Sequence, residues 1–373
     1  MKHRHWSRLA LVALAAAACG VAAAPAVAAP GPADAATAYL QARAAAITAA
    51  DPGAVLATWT TPAGKLAATE RAIACGTAVR AAQLGHQIDS VSSETTILDG
   101  APGATRDTAT VSAHVITTIV WHADGMEQST EASGIDHTIS LQRVAGTWQV
   151  VGDSYLDDLA PSYLEAAGEP PEVVREAVRR LEHAASRPVA VSGNERKWVA
   201  RASALRRYKI IITYNRTAAA AYADRYALSY SPAYVRFGAD CANFASQGAC
   251  AGGMPLAGST YSTGWWYDKK GTSSTSDDSY SLSWINVTQQ MSYWNGSRTD
   301  WASSITSLGK GDMVYYDWSG DGFWDHVAVV AGTNSAGQTV VDAHTTDYYR
   351  TYWKMGYSST KYKFARVRAQ WVV

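Results

Sequence analysis

Apolar and polar positions along the chain change their period several times. Residues 34 to 90 carry Ala-rich stretches at helical spacing, broken at Asp51-Pro52-Gly53 and Thr61-Pro62-Ala63-Gly64, and predict helices joined by turns. Alternating stretches follow at Thr108 to Trp121, Gly134 to Arg143 and Thr147 to Asp153. Turn residues Ala123-Asp124-Gly125 and Ala145-Gly146 separate them, which predicts a meander. After Pro170-Pro171 the helical period returns, with Val174, Ala177, Val178 and Leu181 on one face of a helix from Glu172 to His183. Ser186-Arg187-Pro188 and Ser192-Gly193-Asn194 then break the pattern.

The second half is patterned differently. Asn215 is suited to cap a helix running to about Tyr226, and Asp240 to cap one that starts at Cys241 and ends at Gly252-Gly253. A turn and strand are predicted over Leu308 to Asp317, and strands at Asp325 to Gly332 and Thr339 to His344. Seventeen of 20 Tyr and nine of 14 Trp lie beyond residue 206, whereas the first half is rich in Ala and Val. Two differently built α+β units follow from this shift: 31–168 and 206–373, with 169–205 as a helical linker. Helices followed by a meander, closed by Thr147 to Asp153, resemble a cone-shaped NTF2-like domain.

Residues 1–28 read as an export signal. Lys2, Arg4 and Arg8 precede an apolar run from Leu9 to Ala18 and an A-x-A cleavage site at Ala26-Val27-Ala28, so the expected destination is secreted. That run is too short to span a membrane stably. Thirty-two basic and 32 acidic side chains cancel over the full chain, and no Lys/Arg run is present, which argues against nucleic acid as a partner.

Signal removal leaves three cysteines, Cys75, Cys241 and Cys250, and an odd count in an exported protein points to a free thiol. Cys241 at a helix start would feel the positive end of the helix dipole, which favours the thiolate, and neighbouring N–H groups could hold an oxyanion. Asp240 either contributes to that oxyanion contact or caps the helix. His326 opens a strand at its loop end, where an imidazole can meet a helix N-terminus across a cleft. Asp342 and His344 share one face of the next strand, and either could fix the tautomer of His326.

These pieces, in order, resemble a known group. Asp240-Cys241 at a helix start, Gly311 to Tyr316, Asp325 to Val330 and Val341 to Thr345 are similar to NlpC-type cell-wall cysteine peptidases of the papain-like superfamily. Tyr214-Asn215-Arg216, Asp240 to Gln247, Tyr316 to Gly322 and Ala343 to Asp347 resemble the bacterial putative amidase domain over about residues 208–367. The resemblance implies a papain-like fold with a helix-borne Cys on a small antiparallel sheet, Cys241 as nucleophile and His326 as base. His344 or Asp342 would be the third member. The implied activity is a thiol hydrolase that cleaves an amide in a peptide or peptidoglycan fragment, with no cofactor required. The competing reading keeps the fold without the chemistry, as a wall- or glycan-binding module.

Two further features bear on the site. Asp317, Ser319, Asp321 and Asp325 fall at calcium-loop positions, but Ala328 replaces the bidentate carboxylate, so a structural calcium competes with ordinary turn chemistry. Trp318 and Trp324 flank His326 and are expected at the substrate cleft, while the other aromatics of this half should fill the core.

Overall fold

The computed structural model describes residues 30–60, 64–185, 211–272 and 274–372. The export signal, the turn at 61–63 and the linker beyond residue 185 lie outside them. Helices α1 (Pro32–Ala46), α2 (Pro52–Ala57) and α3 (Lys65–Gln83) lead into β1 (Gln87–Pro102), β2 (Thr108–His122), β3 (Ser129–Val144) and β4 (Thr147–Ser154). Three of these strands follow the predicted alternation. The long β1 is not among the predicted strands: most of its side chains are exposed and the rest only half-buried, so it carries no apolar alternation.

Helices α4 (Ala160–Ala166) and α5 (Pro171–Ala185) come next, then α6 (Arg216–Tyr226) and α7 (Cys241–Ala251). Asn215 accepts a hydrogen bond from the Ala218 N–H at 3.0 Å and so caps α6 as its residue type predicts. The last strands are β5 (Thr299–Ala302), β6 (Met313–Asp317), β7 (His326–Thr333), β8 (Thr339–Ala343), β9 (Asp347–Tyr352) and β10 (Lys361–Val367).

One mixed α+β architecture results, dominated by a ten-stranded sheet in the order β1-β2-β3-β9-β8-β7-β6-β10-β5, with β4 also paired to β3. Its paired strands are all antiparallel. The two halves of the chain meet inside this sheet, where Asp347, Tyr348 and Tyr349 of β9 pair with Gly134, Ser133 and Ala132 of β3.

Strand β6 and all but the last residue of β7 are buried, which explains their unbroken apolar runs. Each strand feeds two cores by alternation. Met313, Tyr315, Val327 and Val329 pack with Phe244 and Ala245 of α7 and with Trp265, Trp284 and Trp294. Val314, Tyr316, Ala328, Val330 and Val341 turn the other way and pack with Leu159, Val178 and Leu181. The linker helix α5 is thus part of a core, and its apolar face meets the sheet that carries the candidate chemistry. A separate cluster around Tyr39, Leu40, Leu56, Val111, Ile139 and Trp148 fills the first half.

Candidate active site

Helix α7 begins at Cys241, and its small residues, Cys, Ala, Ser and Gly, let it lie closely on β7. The cavity at this helix start measures about 750 Å³, and its lining includes Cys241, His326, Asp158, Asp325, Trp318 and Trp324. Arg179, Glu182 and His183 of α5 form another part of the wall. Nucleophile and base candidates therefore share one cavity, although no hydrogen bond joins them in this resting arrangement among the described residues. The backbone of Val327, directly after His326, approaches the thiol.

Burial decides the resting charge. It pushes the Cys241 thiol up to about 12, against smaller opposing effects of the Val327 backbone and the Thr345 hydroxyl. The helix dipole does not overcome that desolvation, so the resting sulfur is a thiol rather than the expected thiolate. Burial also pushes His326 down to about 3, which leaves the imidazole neutral. Trp318 stacks beside its ring at 5.4 Å. Both partners are neutral at rest, a state from which a proton can pass as the sulfur attacks.

His344 and Asp342 occupy other places. Val329 lies opposite Asp342 and Val330 opposite Val341 across β7 and β8, so Asp342 shares the α7-side face of Val329. His344, two residues on, stacks on Phe244 of α7 at 3.9 Å. His326 instead pairs in register with Tyr316 and belongs to the face of the second core. A one-residue difference in strand parity thus puts these two candidates across the sheet from the imidazole they were expected to orient.

His344 Nδ1 donates to Asp240 Oδ2 at 2.8 Å and Nε2 donates to the Tyr226 carbonyl at 2.7 Å. With an acceptor at each nitrogen the ring is an imidazolium. Burial opposes that charge, but the hydrogen bond to Asp240 and the Asp347 and Asp240 charges outweigh it and raise its pKa. Asp342 accepts the Arg350 N–H at 2.8 Å, and burial holds its carboxyl well above the usual carboxylate range.

Asp240 does not cap α7 with its side chain. Its carboxylate accepts from the Phe237 N–H at 2.9 Å, from Asn243 Nδ2 at 2.9 Å and from His344. Its own N–H and that of Cys241 donate to Thr345 Oγ1 at 3.1 and 3.3 Å. Thr345 holds φ at 96°, the left-handed region that a β-branched residue rarely enters, and such strain gathers at functional sites. Sequence reasoning missed Thr345, and no local pattern announces a backbone angle of this kind.

The loop before His326 spends its carboxylates on its own backbone. Asp317 accepts from the N–H groups of Gly320, Asp321 and Gly322, Asp321 from Phe323 and Asp325 from Trp318. Ser319 Oγ is buried without a hydrogen-bond partner among the described residues. Among those residues no group of three or more His, Cys, Asp or Glu side chains gathers to hold a metal. Cys75 and Cys250 are both free thiols.

No pattern along the chain singles out Asp158. It follows β4, is 3% exposed, and places Oδ2 3.7 Å from His326 Nδ1. Burial comes first among the causes that hold its carboxyl well above the usual range, followed by the charges of Asp157, Asp325 and Asp347. Its Oδ2 and the Nε2 of His326 have no hydrogen-bond partner among the described residues.

A solved structure, the intermembrane space region of the chloroplast protein ARC6, aligns with 32% of this chain and 90% of that chain at 13% identity, with a TM-score of 0.26. That similarity carries no argument about fold or function. The uncharacterized protein YhbB of Bacillus subtilis (strain 168) is 31% identical over 145 residues, 38% of this chain and 44% of that protein. The chain therefore spans less than half the length of this relative. Residues 213–367, which hold Cys241, His326, Asp342 and His344 but not Asp158, match the family model described as a putative amidase domain.

Proposed function

We propose that this protein is a secreted thiol amidohydrolase of the papain-like, NlpC-related kind, acting on peptides of the bacterial cell wall. The match to an amidase family suggests amide hydrolysis, and the observation that carries the thiol mechanism is a cavity lined by both Cys241 and His326. Its size suits a peptide-sized ligand. The first unit is read as NTF2-like, from its helices and meander, and the export signal supports the destination.

The chemistry runs through two halves. As Cys241 Sγ attacks the amide carbonyl carbon, His326 takes the thiol proton and passes it to the leaving nitrogen, and the C–N bond breaks to give a thioester. Water then adds to the thioester carbon and gives His326 a proton. The C–S bond breaks, the acid leaves and the sulfur recovers its proton. N–H groups at the α7 start suit oxyanion stabilisation, although that of Cys241 must exchange its Thr345 contact to take part.

The glycan-binding alternative gains less support from the aromatic side chains. Trp265, Trp284 and Trp294 are buried, leaving Trp324 and the exposed Phe323 toward the mouth of the cavity. Replacement Cys241→Ser, assayed by peptide released from purified cell wall, tests the proposal. Loss of about a thousandfold or more is expected; full activity in the variant would sink the nucleophile assignment.

A further inference from the structure

We propose that Asp158 is the positioning residue of His326, so that the catalytic site is completed from outside the segment that matches the amidase family. The inference rests on the Cys241 and His326 reading above and supplies the third member that His344 and Asp342 do not.

Geometry carries the assignment. Asp158 and His326 are each buried, and the 3.7 Å approach of Oδ2 to Nδ1 is the one close contact between a carboxyl and a basic group that either makes among the described residues. The separation exceeds a hydrogen bond, as catalytic contacts often do before substrate arrives. His326 turns Nδ1 toward the carboxyl and leaves Nε2 without a partner. A carboxyl oxygen accepting from Nδ1–H selects the tautomer whose Nε2 lone pair can take the proton of a thiol.

The backbone carrying Asp158 is fastened to the second half on both sides. Thr346 Oγ1 donates to the Leu156 carbonyl at 3.3 Å, and Tyr348 Oη donates to Asp157 Oδ1 at 2.6 Å. The Leu159 N–H donates to Tyr348 Oη at 3.1 Å, and the Leu159 side chain packs in the core with Val314, Tyr316 and Ala328. Tyr348 lies in β9 at its pairing with β3, so the strand that joins the halves also holds the carboxyl in place. Asp325, another acid of the cavity, spends Oδ2 on the Trp318 N–H.

Asp157, Asp325 and Asp347 act on the charge of Asp158, while Cys241, Tyr316 and Tyr348 feel it in turn. A pH profile alone would therefore mix several groups, and the tautomer of His326 is the sharper readout. The full chain with nitrogen-15 histidine, compared with Asp158→Asn and Asp158→Ala, is examined by NMR, with His326→Ala assigning the signals. The wild type should show His326 in the Nδ1–H form, and both variants should lose it. Alkylation of Cys241 by iodoacetamide, read by peptide mass spectrometry, should slow about tenfold in Asp158→Asn. Thermal melting checks folding, and Asp158→Asn keeps the side-chain shape should Asp158→Ala fail to fold.

An Nε2–H form in the wild type, or an Nδ1–H form unchanged in a folded Asp158 variant, would overturn the inference. Amide cleavage retained by Cys241→Ser would remove the nucleophile reading instead and leave the tautomer result standing.

Discussion

Two buried histidines, one at the start of β7 and one directly after the end of neighbouring β8, have opposite fates. His344, facing α7, gives both ring nitrogens to acceptors and is held as a cation. His326, on the other face, meets one carboxyl at 3.7 Å, keeps Nε2 unpartnered and is driven neutral. A saturated imidazole in a closed hydrogen-bond network serves the fold, because moving its proton would strand a buried acceptor. An unsaturated one beside a cavity is free to take a proton and give it back. The contrast separates structure from chemistry more clearly than residue type, since both positions carry histidine.

Substitutions at the two rings should therefore break different things. The largest expected effect is on activity: His326→Ala should lower amide release by about ten-thousandfold, with the denaturation midpoint moving far less than in His344→Ala. Wild-type activity in that variant would make the two histidines equivalent. His344→Ala leaves the Asp240 carboxylate buried without its cation and should cost about 3–5 kcal/mol of stability in urea unfolding. A loss below ~1 kcal/mol would show that the pair is dispensable.

The pH dependence of stability should also part the two sites, by smaller amounts. His344 has its folded pKa raised, so its contribution is fully present below the ordinary value of 6.5 and fades as pH rises through the folded pKa. His326 has its folded pKa lowered to about 3, so its contribution is present above 6.5 and is lost as pH falls from there toward 3. Melting temperature against pH should accordingly lose its acid-side slope in His326→Ala and its alkaline-side slope in His344→Ala. An unaltered curve in either variant would contradict the assignment for that ring. The smallest effect is expected for Thr345→Ala, which removes the acceptor for two N–H groups at the α7 start and should cost about 1 kcal/mol.

Much of the local plan is legible in the chain. Asn215 before an Ala-rich run marks α6, the small residues after Asp240 mark α7, and alternation marks β2, β3 and β4. Strand β1 escapes such a reading, because a mostly exposed strand leaves little alternation to find. The same limit applies to Asp158. Adjacent acids after a strand are ordinary in sequence, and their meeting with His326 depends on contacts made by Tyr348, 190 positions later in the chain than Asp158.

The sequence by itself determined that Cys241 begins a helix, that His326 begins a strand and that Asp342 and His344 share a face. These follow from the run of small residues after Asp240 and from side-chain periods of 3.6 and two residues, which are local properties of the chain. Tertiary structure alone decided which face His326 takes, that burial outweighs the helix dipole at the thiol, and that an acid from the other half of the chain stands beside the imidazole. Strand register and desolvation are set by the packing of distant segments, and no local pattern of residues encodes them.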